Sequence, residues 1–340
     1  MGAEQLSGGD HLAEDSIGLY RPIPIEPEHG LLIVFNPTSK SSIEHADYLT
    51  KKAVYDWPGG GPIIKLATQK TVEDNVEQLK TVQSRGPLHQ AILGGDGTHA
   101  MMLKATINSG FKGINAISAN GNACDLAHSI NIDSYALDPI GSIKHGMAST
   151  IRPIDIEITN QQGELVKKTS AIGYAGVGFT GDLSQLFNTP AYRRQAQIFS
   201  SKPVRYASEF KKTIEYVDSA EPFMIDDHDH EPRLAIEYMV MNGGRVAKTR
   251  FLPYNRIFKP QATIAEVRSA KRSDIFKAVA KLMLGGQTMH TNECVAITVN
   301  YDHDNPLLMQ TDGEIMIIPS GSTISYRISK DKVRVAKTRS

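Results

Sequence analysis

Short apolar runs recur through the first part of the chain, each followed by a stretch in which apolar residues return every three or four places. Leu31-Leu32-Ile33-Val34-Phe35 is apolar at every position and is stopped by Asn36-Pro37, the pattern of a strand buried on both faces of a parallel sheet. Ser41 with Glu44 forms a capping box and predicts a helix through about Ala53. Ile63 to Ala67 reads as a second strand. Thr71 and Asp74 mark another helix start, Val72, Val76 and Leu79 share one face of that helix, and Gly86 ends it. Gln90 to Leu93 is a third strand, broken by Gly94-Gly95-Asp96-Gly97-Thr98. A helix with Ala100, Leu103 and Ile107 on one side follows, and Ile114 to Ile117 is a fourth strand. Strands alternating with helices through short connections predict a doubly wound, mostly parallel α/β sheet.

After about residue 150 the period changes. Ile154-Asp155-Ile156-Glu157-Ile158 alternates strictly, Asn160 to Gly163 supplies a turn, and Leu234 to Val240, Cys294 to Val299 and Thr323 to Ile328 alternate likewise. Alternation of this kind predicts antiparallel strands with one wet and one dry face. Helices are expected around 205–217 and 273–284. The implied organisation is a loose leader over 1–28, an α/β nucleotide-binding domain over 29–150 and a β-rich acceptor-binding domain over 151–322. A C-terminal strand and basic tail over 323–340 would then return toward the first domain.

Composition narrows the class. Hydrophobic residues make up 40% and charged residues 22% of the 340 positions, as in an ordinary folded protein. The net charge of zero removes the broad electrostatic case for nucleic-acid binding. Local basic clusters such as Arg193-Arg194, Lys211-Lys212 and the tail from Lys330 to Arg339 read as solvated faces that can also meet anionic lipid headgroups. Two cysteines, Cys124 and Cys294, are too few and too far apart for a disulfide framework or a paired-cysteine zinc site. No apolar stretch has the length of a membrane span, and the N-terminus lacks the layout of a signal peptide. A cytoplasmic protein is expected, with peripheral contact at the membrane surface left open.

The segment Gly94-Gly95-Asp96-Gly97-Thr98 carries the most chemistry. It sits where a strand ends and a helix begins, at the carboxyl edge of the expected sheet, where such folds bind ligands. Glycines admit a close approach of backbone to ligand, and a helix N-terminus offers free N–H groups to phosphate oxygens. Asp96, an anion, acts there through a magnesium ion or a ribose hydroxyl, or the segment is a plain β–α turn with Thr98 as helix cap. No Walker A pattern occurs.

Several motifs in order resemble the diacylglycerol kinase catalytic domain, a family of bacterial lipid kinases and sphingosine kinases related more distantly to NAD kinases. They are Asn36-Pro37-Thr38-Ser39, Gly94 to Thr98, Gly121 to Ala127, Gly146 to Ile156, Gly176-Val177-Gly178-Phe179, Val240 to Gly244, and Gln310-Thr311-Asp312-Gly313-Glu314. The resemblance covers residues 31 to about 335 and implies a cleft between the α/β domain and an antiparallel β-sandwich. It implies ATP lying against Gly94, Gly95, Asp96, Gly97 and Thr98, with Asn36, Thr38, Ser39, Gly121, Asn122 and Glu314 also facing the nucleotide. It further implies Asp312 as general base, Asp96 as a second catalytic residue and magnesium ligand, and a lipid-like acceptor hydroxyl. Read without the other motifs, Asp312-Gly313 between apolar runs is a hairpin turn. The chain departs from the family pattern at Lys40, at His99-Ala100-Met101, at Asn122 and Cys124, and at Thr180. These changes keep open a catalytically impaired lipid- or nucleotide-binding regulator and an NAD kinase.

Other candidates read as structural. Asp226 to Glu231 has metal-ligand types but the composition of a solvated loop. Asp302 to Pro306 reads as a turn, and Cys124 as a small buried residue. Exposed sheet edges allow a homodimer.

Overall fold

The computed structural model describes residues 21–120, 124–130, 137–189, 221–227, 231–246, 249–250, 256–268, 290–303 and 305–337. The helices expected at 205–217 and 273–284 lie outside them, as do Gly121 and Asn122. The first half contains β1 (Arg21–Pro22), β2 (Gly30–Phe35), α1 (Lys40–Asp56), β3 (Ile63–Ala67), α2 (Val72–Gln83), β4 (Leu88–Gly94), α3 (Asp96–Ser109), β5 (Asn115–Ala119), α4 (Asp125–Ile130), α5 (Pro139–His145) and β6 (Met147–Ile151). The second half contains β7 (Ile154–Thr159), β8 (Leu165–Ala171), β9 (Tyr174–Gly178), α6 (Phe179–Asn188), β10 (Phe223–Asp226), β11 (Arg233–Ala235), β12 (Glu237–Met241), β13 (Arg245–Val246) and β14 (Thr249–Arg250). After a 3₁₀ turn (Arg256–Phe258) come β15 (Ala262–Val267), β16 (His290–Cys294), β17 (Ala296–Asp302), β18 (Leu307–Thr311), β19 (Glu314–Ile318), β20 (Thr323–Ile328) and β21 (Val333–Lys337).

The first sheet runs β3-β2-β4-β5-β21-β6-β1. Its members from β3 to β21 are mutually parallel, β6 is antiparallel to β21, and β1 is in turn antiparallel to β6. The all-apolar pattern of β2 has the consequence expected of it. Leu31 and Ile33 join a cluster with Ala46, Leu49, Ile140 and Ile143 of α1 and α5. Leu32 and Val34 join one with Leu79, Met102, Leu103 and Ile130 of α2, α3 and α4. Helices therefore cover both faces, as in doubly wound sheets. Ser39, not Ser41, caps α1: its φ of −108° and ψ of 111° are extended, and its Oγ accepts the Ser42 N–H.

The remaining strands form two antiparallel sheets, β11-β10-β17-β20-β7-β8 and β16-β15-β12-β9-β18-β19. Ile156, Val299 and Ile324 of one and Val177, Val240 and Met309 of the other meet in a single buried cluster, so the two sheets make a sandwich. The chain passes between the parallel sheet and the sandwich twice, from β6 to β7 and from β20 to β21. No helix among the described residues is long and apolar enough to cross a membrane.

A histidine pair, His89 buried and His29 half-buried, ties β4 to the segment before β2. The His89 Nδ1 accepts the Ile114 N–H at 3.1 Å, and its Nε2 lies 3.2 Å from Nδ1 of His29, which also takes the Glu26 N–H at 2.9 Å. With its Nδ1 in use as an acceptor, the His89 ring is suited to the neutral form. Burial, reinforced by His29, pulls the His89 pKa from 6.5 to about 4. A histidine depressed on folding gives stability that is complete above pH 6.5 and lost as pH falls toward 4. At about 1.4 kcal/mol per unit, the loss approaches ~3 kcal/mol. Urea unfolding at pH 7.5 and 4.5 is expected to show that loss in the wild type and a smaller one in His89→Gln.

Candidate functional site: a crevice between the parallel sheet and the sandwich

Strands β2, β4 and β5 end side by side, and the residues that follow them form a polar shelf. Asn36 donates from Nδ2 to Thr98 Oγ1 at 3.2 Å, while its Oδ1 accepts the Thr38 N–H at 2.9 Å and the Thr38 hydroxyl at 2.8 Å. Asn36 thus ties its own loop to the first turn of α3. Ser39 is turned to capping α1. Ser118, near the end of β5, donates to Asn120 just past it, and Asn120 Nδ2 lies 2.7 Å from His45 Nδ1 of α1.

The glycines of the β4–α3 loop divide by role. A Cβ on Gly94 would fall 2.7 Å from two side-chain carbons of Thr98, so glycine there lets the loop close. A Cβ on Gly97 would meet nothing within 4 Å, and the fold does not require glycine at that position. Gly95 caps α3 without a side-chain hydrogen bond. The result is an open helix N-terminus with room in front of it, which fits a phosphate group.

Asp312 approaches from the sandwich. It occupies the tip of the β18–β19 hairpin, where Thr311 pairs with Glu314 and both central residues have positive φ, +50° for Asp312 and +94° for Gly313. This is the signature of a type I′ turn. The hairpin reading and the placement at the crevice therefore hold together. The carboxylate is 5% exposed. It accepts the N–H groups of Ile172 at 2.6 Å, Gly173 at 2.8 Å and Tyr174 at 3.1 Å. Burial raises its pKa above the ordinary aspartate value, against the pull of the Lys104 charge and these three donors. The Asn242-Gly243 motif secures the same segment: the N–H groups of both residues donate to the Gly173 carbonyl at 2.7 and 2.8 Å.

Asp96 and Asp312 line one crevice together with Asp125, Leu126, Ser129, Gly173, Tyr174 and Gly243. Oδ1 of Asp96 accepts the Leu126 N–H at 2.9 Å, docking α4 on the β4–α3 loop. Tyr174, buried on the crevice wall, accepts from Gln310 Nε2 at 2.8 Å. Burial, then Asp125, Asp312 and Asp96, raise its pKa well above the usual tyrosine value, so the phenol stays protonated. Asp125, Ser129, Gly173 and Tyr174 were not among the sequence candidates. Asp125 falls within the quoted Gly121–Ala127 motif, whereas Tyr174 has no local signal. His99, behind Asp96, is fully buried, and burial lowers its pKa. Glu314 lies beside Lys104, with 3.6 Å between Oε2 and Nζ.

The acidic segment after β10 has a structural use. Asp227 and Glu266 pair with the buried guanidinium of Arg233, and Arg268 adds a second cation to Glu266. Among the described residues no group of three His, Cys, Asp or Glu side chains is arranged to hold a metal ion; His228, Asp229 and His230 lie outside them.

No protein-family model matches the chain, and no curated protein matches it in sequence. Solved structures do match it. A diacylglycerol kinase from Bacillus anthracis str. Sterne aligns over 91% of this chain and 97% of its own, at 14% identity and a TM-score of 0.56. Yeast NADH kinase, solved in complex with NADH, aligns over 92% of this chain and 84% of its own, at 9% identity and a TM-score of 0.51. The chain has the two-part fold of these kinases, an α/β layer with a mostly parallel sheet followed by an antiparallel β-sandwich.

Proposed function

We propose that the chain is an ATP-dependent kinase of the diacylglycerol kinase type, transferring a phosphoryl group to the hydroxyl of a lipid-like acceptor. The observation that carries this reading is that Asp96, at the open N-terminus of α3, and Asp312, at the tip of the β18–β19 hairpin, face one crevice. The N–H groups at the start of α3 bind phosphate oxygens, and Gly97 lets the backbone reach them. Asp312, held by three N–H donors, orients the acceptor hydroxyl and takes its proton late in the transfer. Asp96 keeps an oxygen for a magnesium ion, which would take most of its remaining ligands from phosphate and water and would neutralise the charge of the transferring group. The lipid-like acceptor rests on the order of the motifs.

The test is transfer of label from γ-labelled ATP, with and without Mg²⁺, to diacylglycerol, sphingosine, ceramide and phosphatidylglycerol in mixed micelles, and to NAD. Labelled lipid supports the reading. Label on NAD alone would move the chain to the NAD kinases, and ATP binding without any product would make it a regulator of the same fold.

Gly97→Ala separates ligand binding from folding. Because the added methyl group enters open space in a helix, the melting temperature is expected to hold or rise, alanine being favoured by up to ~1 kcal/mol. Calorimetric titration is expected to show MgATP affinity reduced about tenfold, or ~1.4 kcal/mol. Unchanged affinity would argue against phosphates at this turn.

A further inference from the structure

Lys104 has no part in the sequence motifs, yet its place calls for an explanation. It lies on α3, roughly two helical turns beyond Asp96, and is only 7% exposed. Its Nζ stands 3.6 Å from Oε2 of Glu314, a side chain that is 53% exposed. That separation exceeds a direct hydrogen bond, and the exposed partner is screened by water. A buried ammonium costs several kcal/mol in desolvation unless well compensated, and among the described residues Glu314 is its one ion-pair partner, a weak compensation. The other carboxylate of the same turn is Asp312, 5% exposed, and the Lys104 charge pulls its pKa down against the rise that burial imposes. Asp312 is faced by Lys104 and Asp96 from α3, by Asp125 from α4, by Tyr174 from β9 and by Glu314 from β19. Lys104 is the only cation among these.

We infer that Lys104 is a positioning residue for the transfer: mounted on the helix whose N-terminus faces the phosphates, it holds the Asp312-Gly313-Glu314 turn against that helix and supplies the counter-charge of the Asp312 carboxylate. The inference rests on the kinase reading given above. It adds a physical link between the two halves of the crevice, because the same helix then carries both the phosphate-facing loop and the charge that keeps the opposing carboxylate a proton acceptor.

The full-length chain carrying Lys104→Met or Lys104→Arg tests it. Methionine keeps the length of the stem and removes the charge, while arginine keeps the charge. In the transfer assay, Lys104→Met is expected to lower kcat about tenfold or more, as loss of a close opposite charge does, with KM for ATP little changed. The acid limb of its kcat–pH profile is expected to move to higher pH, and Lys104→Arg to recover most of both effects. Wild-type kcat and profile in Lys104→Met would overturn the inference.

A second measurement needs no turnover. Removing Lys104 raises the folded-state pKa of Asp312. The stability penalty is therefore absent below the unfolded value of 3.8 and grows as pH rises through the folded value. The difference in melting temperature between wild type and Lys104→Met is expected to widen from pH 4 to 8. It should persist in a Glu314→Gln background and vanish in an Asp312→Asn background. Loss of the difference with Glu314→Gln instead would make Lys104 the partner of Glu314 alone and overturn the inference. A wild-type chain with no kinase activity would sink the kinase reading, and this melting comparison would still decide the role of Lys104.

Discussion

Asp312→Asn is expected to abolish most phosphoryl transfer while the chain stays folded and binds nucleotide. The amide cannot take the acceptor proton, and general-base assistance of this kind contributes roughly 10²–10⁴-fold. Asparagine is the informative substitution because the residue has a φ of +50°, which asparagine tolerates better than alanine. Its Oδ1 still accepts from Gly173 and Tyr174. Its Nδ2 then meets the Ile172 N–H, which now donates to Oδ2 at 2.6 Å, so two donors face each other. An unsatisfied buried donor costs about 1–3 kcal/mol, and loss of the buried charge offsets part of that. Initial rates, a titration with MgATP and a urea melt on the same preparation check the three parts. A variant with wild-type turnover would remove Asp312 from the mechanism.

Gly178→Ala is expected to produce a large loss of stability from a single added methyl group. Gly178 has a φ of +121° and a ψ of −148°, a region essentially reserved for glycine. A Cβ there would stand 2.2 Å from the Ile236 carbonyl oxygen and 3.0 Å from Glu237 Cα. Both are backbone atoms of or beside β12, with which Gly178 pairs through Glu237. The strand cannot yield without disturbing the sandwich and the start of α6. There the Glu237 carboxyl, its pKa pushed up to about 8 by burial, accepts the Thr180 N–H at 2.9 Å and the Thr180 hydroxyl at 2.5 Å. Backbone strain together with the clash is expected to cost about 3–5 kcal/mol. Gly163→Ala is the control: its φ is +78°, but nothing lies within 4 Å of the added carbon, so roughly 1–2 kcal/mol is expected from the torsion alone. Chemical denaturation of the two variants side by side measures the difference, and equal losses would show that the approach to Ile236 does not matter.

Local sequence carried much of the fold because the signals were local. An apolar run closed by Asn-Pro gave β2, the span Ile63–Ala67 matched β3 at both ends, and Thr71 caps α2 with its hydroxyl accepting the Asp74 N–H at 3.1 Å. Strict alternation from Ile154 gave β7. The start of α1 was less legible: Ser39 and Ser41 both carry cap hydroxyls, and only the extended backbone at Ser39 separates them. The Asp-Gly turn was visible as a hairpin, and the motif order tied it to chemistry. What surrounds Asp312 was not visible. Lys104, Asp125 and Tyr174 come from three separated segments, brought together by the β9–β18 pairing and by the docking of α4 on Asp96. No periodicity or spacing along the chain encodes that meeting. Gly97 was legible as a glycine but not as one the fold leaves free, a distinction that depends on the empty space in front of α3.

The measurement that bears most directly on the central claim is a crystal structure of the chain with Mg²⁺ and a non-hydrolysable ATP analogue. The expected result is density for the phosphates against the N–H groups of residues 95–98, with the terminal phosphate facing Asp312 across the crevice. Nucleotide bound elsewhere, with the Gly94–Thr98 turn empty, would contradict the account.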